Sequence, residues 1–162
     1  MSQHEVTDDI EGLRRILAEA HSIAIVGLSA NPIRPSYFAA KYLQQHGYRI
    51  IPVNPAYDEV LGETCYPRLA DIPHAVDVVD IFRKPDDAPG VASEACAIGA
   101  KVFWLQLGVI SGEAVERAAG CGMEVVMDRC MKIEHARIFG GLNFIGINTK
   151  VISAKRPRYI AN

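Results

Sequence analysis

SIAIVGLSANPIRPS, Ser22 to Ser36, passes without a break from an apolar run into a Gly/Ser/Asn/Pro turn. Ile23-Ala24-Ile25-Val26 shows no polar alternation, as expected of a strand covered by helices on both faces. Gly27 ends the run. Beyond the turn, Phe38, Ala39, Tyr42 and Leu43 fall on one helical stripe, with Gly47 placed as a C-cap. Strand, turn and helix in that order put the junction at the carboxyl end of a parallel strand. Backbone N–H groups and a helix N-terminus face outward there and suit a phosphate. The stretch predicts a nucleotide-type ligand site.

Working outward, the same passage recurs. Upstream, Thr7 is placed to cap a first helix within residues 1–20, whose Ile10, Leu13, Ile16, Leu17 and Ala20 share a face. Downstream, Tyr48 to Val53 reads as a second strand ending in Asn54-Pro55. Its Pro52 predicts a local distortion, because a central strand cannot spare the N–H. Tyr57 to Ile72 reads as irregular. Val76 to Phe82, Lys101 to Leu107 and Met123 to Met127 read as three more strands. Asp86 or Asp87 would cap the helix after the first of these, and Ser111 the next; Asp128-Arg129-Cys130 leads into a last one. Strand and helix alternating every 25 residues or so predict a Rossmann-like α/β fold. It is a doubly wound, parallel five-stranded sheet in a single domain, with its core at 22–135 and a basic tail at 147–162.

Composition narrows the function. The chain has 162 residues, 49% of them apolar and 22% charged, as in a folded globular protein. A net charge of −2 supplies no basic excess for nucleic acid, and no apolar run reaches the length of a membrane span. The polar N-terminus is neither a signal nor a transit peptide. Cys65, Cys96, Cys121 and Cys130 form no CxxC pair and no metal-type spacing with the histidines. Reduced thiols and a cytoplasmic setting are expected.

Around the turn, Gly27-x-Ser29-x-x-Pro32 stands where a dinucleotide fingerprint carries three glycines. Gly27 fits the tight turn, Ser29 permits close approach and adds a hydroxyl, and Asn31, Arg34 and Ser36 bring further donors. NAD-binding folds place a carboxylate at the end of the second strand, whereas here the residues are Asn54 and Pro55. A nucleotide with a phosphorylated ribose, NADP or coenzyme A, fits that absence, with Arg34, Arg83 and Lys84 as candidate phosphate partners. Phe82 and Pro85 bracket Arg83 and are placed to sandwich an adenine, unless Phe82 simply closes the core. Gln106 and Gly108 end the fourth strand on the same rim.

In this order and spacing, GLSANPIRPS, VNP, IFRKP, FWLQLG and MDRC resemble the small stand-alone CoA-binding protein family. That family is related to the N-terminal CoA-binding domain of the succinyl-CoA synthetase α subunit. The resemblance covers about Ser22 to His135. It implies coenzyme A or an acyl-CoA held by the turn from Gly27 to Ser36, by Asn54-Pro55, and by Phe82, Arg83 and Pro85. The synthetase's catalytic domain has no counterpart in a chain of this length, so its ligase chemistry is not carried over.

No nucleophile with a base in reach and no tuned carboxylate pair marks a catalytic site. Cys130 prompts one expectation: a helix N-terminus lowers a thiol pKa, which would favour a mixed disulfide with CoA. A plain buried cysteine is the alternative. The leading reading is a non-catalytic CoA-binding carrier or sensor. An NADP-dependent oxidoreductase and a regulatory subunit acting through a protein partner or a homodimer are the alternatives.

Overall fold

Five short runs of mostly apolar residues pair side by side in the computed structural model, which describes residues 6–140. They are β1 (Ser22–Val26), β2 (Arg49–Val53), β5 (Val78–Ile81), β6 (Val102–Leu105) and β7 (Glu124–Val126). A hairpin of β3 (Glu59–Val60) and β4 (Glu63–Thr64) lies between β2 and β5. Every pairing in the main sheet is parallel, in the order β2-β1-β5-β6-β7. This is the doubly wound, Rossmann-like sheet that the sequence predicts. With the hairpin set aside, its strands run 2-1-3-4-5. The winding reverses between β1 and β5, and in such sheets a ligand crevice opens at the carboxyl ends of the strands on either side of the reversal.

The strands bury both faces, each against its own set of helices. Ala24, Val26, Val79, Ile81, Phe103 and Leu105 pack on α3 (Ala88–Ala97) and α4 (Gly112–Gly120). Ile23, Ile25, Val78 and Trp104 pack on α1 (Ile10–Glu19), α2 (Pro35–Gln45) and α5 (Met131–Phe139). The two sets alternate along each strand with the period of the pleat. No helix among the described residues is long and apolar enough to cross a membrane. The predicted tail at 147–162 lies outside the described residues.

Several local expectations change. Asp9, not Thr7, caps α1, its carboxylate accepting from Gly12 N. Thr7 instead donates its N–H to Val125 O at 2.8 Å, along the outer edge of β7. Pro52 causes no distortion, because β2 is an edge strand and its register with β1 is unbroken. The missing N–H faces away from β1, on the side where Tyr66 donates to Pro52 O and accepts from Asn54 N. The stretch read as irregular holds the β3–β4 hairpin, turned by Leu61 and Gly62, both with positive φ. That is the conformation a two-residue hairpin loop of matching twist requires. Phe38 points outward and is 52% exposed, whereas Ala39, Ala40 and Leu43 face the sheet. Asp87 occupies the N-cap of α3 without a side-chain hydrogen bond, while Ser111 caps α4 as expected, accepting from Ala114 N.

The expectation of four free thiols also fails. Cys96 and Cys121 are joined, linking the ends of α3 and α4, whereas Cys65 and Cys130 are free.

Candidate functional site

Gly27 is where the two central strand ends meet. Its φ is +88°, and a Cβ there would come within 2.4 Å of Phe82 O and 3.0 Å of Arg83 Cδ. Only glycine lets the turn after β1 lie this close to the loop after β5. The following turn holds itself together: Ser29 N donates to Ser36 Oγ, Asn31 N to Ser29 Oγ, and Ile33 N to Asn31 Oδ1. Both hydroxyls act as acceptors in these bonds and keep their own hydrogens for donation. Ser36 is buried in the first turn of α2, whereas Asn31 and Arg34 are exposed.

Asn54 also acts within the fold. Its Nδ2 donates to Leu28 O at 3.1 Å and its Oδ1 accepts from Ala56 N at 2.9 Å, which ties the end of β2 to the turn after β1. Pro55 is exposed beside it.

A cleft of about 980 Å³ opens at the carboxyl ends of β5 and β6, beneath the start of α5. Of the predicted residues, Phe82, Arg83, Gln106 and Cys130 line it. The turn after β1 reaches it through Pro35, at the start of α2. Gly27, Ser29, Asn31, Arg34, Ser36, Asn54, Pro55, Pro85 and Gly108 do not line it. Gly108 braces the rim, its N–H donating to Asp128 Oδ1 at 2.8 Å. Pro85 opens the short 3₁₀ turn before α3.

Lys84, a predicted phosphate partner, also lines the cleft, whereas sequence reading missed Asp87 as a lining residue and missed the apolar Leu107, Val109 and Ile133. Asp87 Oδ2 lies 3.7 Å from Arg83 Nε, in an ion pair about half exposed on both sides. The i, i+4 spacing of the two was the available signal.

The floor of the cleft is unusual in its polarity. Gln106 is 6% exposed, and its Oε1 has no hydrogen-bond partner among the described residues. Beneath it in the sheet, Asp80 is wholly buried with both carboxylate oxygens unpartnered. Burial pushes the Asp80 carboxyl well above the usual carboxylate range. Cys130 caps α5, yet its thiol is not activated. Burial pushes it up, with the Asp80 carboxyl adding to the effect, against the lowering effect of hydrogen bonds from the helix backbone and Gln106. The expectation of a lowered pKa is thereby reversed, because loss of solvent outweighs the helix terminus.

His135, one turn further along, is packed and hydrogen-bonded. Its Nδ1 lies 2.9 Å from Tyr42 Oη, and its ring meets Tyr48, His46 and Phe139. Burial lowers its pKa.

A family described as "CoA binding domain" matches residues 21–136. An uncharacterized protein, YneT of Bacillus subtilis (strain 168), is 42% identical over 124 residues, covering 76% of this chain and 92% of that one. An ADP-forming acetate–CoA ligase II of Archaeoglobus fulgidus is 33% identical over 121 residues, and the match spans 18% of its length. Among solved structures, a hypothetical protein from Pyrococcus horikoshii OT3 superposes with a TM-score of 0.80 at 42% identity, covering 86% of this chain and all of that one. A dinucleotide-forming acetyl-coenzyme A synthetase of Ca. Korarchaeum cryptofilum gives 0.62 at 29% identity, over 72% of this chain and 28% of that one.

Proposed function

The chain belongs to the CoA binding domain family, and on that premise we propose that it binds coenzyme A or an acyl-CoA at the strand-end cleft, as a non-catalytic carrier, sensor or regulatory module of the cytoplasm. The observation that carries the reading is the position and lining of the cleft. It opens beside the reversal in strand order, and Arg83 and Lys84 line it together with Phe82. Cations suit the phosphates of a nucleotide, and an aromatic face suits its base. Asn54 and Pro55 at the end of β2 leave a phosphorylated ribose without a carboxylate to repel it. The turn from Gly27 to Ser36 borders the same crevice through Pro35. The activity of the ligase relatives belongs to proteins of which this chain matches under a fifth.

Calorimetric titration with CoA, dephospho-CoA, NADP and NAD tests the reading. CoA is expected to bind saturably, with little response to the dinucleotides. Arg83→Ala should weaken CoA about tenfold and dephospho-CoA less, the loss of one charge-assisted contact to the ribose phosphate. Binding of NADP without CoA would overturn the reading and favour the oxidoreductase alternative.

A further inference from the structure

Asp87 places a carboxylate in the wall of a cleft read above as a phosphate site, where a bare negative charge would only repel the ligand. Its surroundings give the charge another use. Asp87 stands at the N-cap of α3, where an aspartate normally accepts from the N–H of the second or third helical residue. The second residue is Pro89, which has no N–H, and the Asp87 side chain makes no capping bond. Asp87 N donates to Lys84 O at 3.0 Å, closing a turn that brings the carboxylate back beside Arg83.

Arg83 is confined from two sides. Its Cδ lies 3.0 Å from where a Cβ on Gly27 would stand, so the stem passes close over the turn after β1. Farther out, Asp87 Oδ2 is 3.7 Å from Nε. The two terminal nitrogens carry four of the five guanidinium donors, and no hydrogen bond to the protein uses them among the described residues. They form the fork that can grip a phosphate at two points. An arginine that is loose before binding loses rotamer freedom on binding, and one already held loses less. Exposed i, i+4 ion pairs add little to fold stability. Here both partners line the cleft, so the effect of the pair falls on the ligand.

We propose that Asp87 is a positioning residue: acting through Arg83, it holds the guanidinium with its terminal fork presented to the ligand's phosphate, while Gly27 leaves room for the Arg83 stem. This rests on the coenzyme A reading above and deepens it, with Arg83 on the ribose phosphate.

The sign of one substitution separates this role from simple charge. Removing a carboxylate from an anion site tightens binding by itself, whereas loss of positioning weakens it. In calorimetry of the full chain, Asp87→Ala is expected to weaken CoA about fivefold and dephospho-CoA less, repeating the Arg83→Ala pattern on a smaller scale. In an Arg83→Ala background the same substitution should leave CoA affinity unchanged or tighten it, because no guanidinium is left to hold. Asp87→Asn, which keeps the shape of the turn and removes only the charge, should move affinity in the same direction as Asp87→Ala. The test therefore does not depend on how the alanine variant folds. Unchanged or tighter CoA binding by the single variants, or a loss that persists without Arg83, would overturn this inference and leave the CoA reading intact. Failure of the unsubstituted protein to bind CoA would overturn both.

Discussion

Asp80 sits between Val79 and Ile81 in a strand whose every side chain is buried, and its carboxyl has no partner to hold a charge. Its folded pKa is raised, so the folded state keeps the proton after the unfolded chain has released it. Below about pH 4, where both states are protonated, Asp80 makes no difference to stability. As pH rises from there towards the folded pKa, ionisation favours the unfolded chain and stability is lost. Asp80→Asn should therefore raise the urea midpoint at pH 7 and leave it nearly unchanged at pH 4. An equal shift at both would mean that Asp80 is not the titrating group. Cys130 gives the companion expectation. With its thiol pushed up by burial, intact mass after incubation with CoA disulfide should show no adduct at pH 7 and growing modification above pH 9. Rapid labelling at pH 7 would restore the activated-thiol expectation. Sequence placed Cys130 at the start of a helix correctly, but local position carries no information on burial, which decided the sign. Gln106 and Asp80 show the same limit: one was read only as a rim residue and the other as part of a strand, because an unpaired acceptor is visible only in three dimensions.

At the scale of elements, α5 is fastened by charge as well as by apolar contact. Glu134 is fully buried and pairs with Arg137 at 2.7 Å and Arg129 at 3.2 Å, both largely buried. Arg129 also reaches Asp8 O, and its own carbonyl accepts from Trp104 Nε1, so the cluster ties α5 to β6 and to the entry of α1. Glu134→Ala removes the carboxylate that two buried guanidiniums share. A loss of about 3–5 kcal/mol is expected, read as a fall in the urea midpoint without a change in slope. A loss below about 1 kcal/mol would show that the cluster is solvated instead. The main strands and helices were legible because their apolar periodicity is imposed by a sheet buried on both faces. The β3–β4 hairpin was not, since two residues per strand are too few to show a period. Pro52 misled for a different reason: whether a strand is central or at the edge belongs to topology, and no residue within Tyr48 to Val53 states it.

The whole molecule carries two links that its local sequence does not announce. Cys96 and Cys121 stand 25 residues apart without a recognisable spacing, and α3 packing on α4 is what brings them together. Closing a loop of that size contributes about 3 kcal/mol in the chain-entropy account. Cys121→Ser, or full reduction, should lower the thermal midpoint by several degrees while CoA affinity stays within about twofold, because neither cysteine lines the cleft. A midpoint unchanged by Cys121→Ser and by full reduction would show that the bond adds nothing to stability. The second link closes both flanks of the sheet. Tyr66 occupies main-chain groups of Pro52 and Asn54 beyond β2, and Thr7 occupies Val125 O beyond β7. An incoming strand therefore finds the Pro52 and Asn54 groups beyond β2 and the Val125 carbonyl beyond β7 already taken, and the proline adds a position where no donor exists. Among the described residues both flanks of the sheet are thus partly covered, which works against templated strand addition between copies.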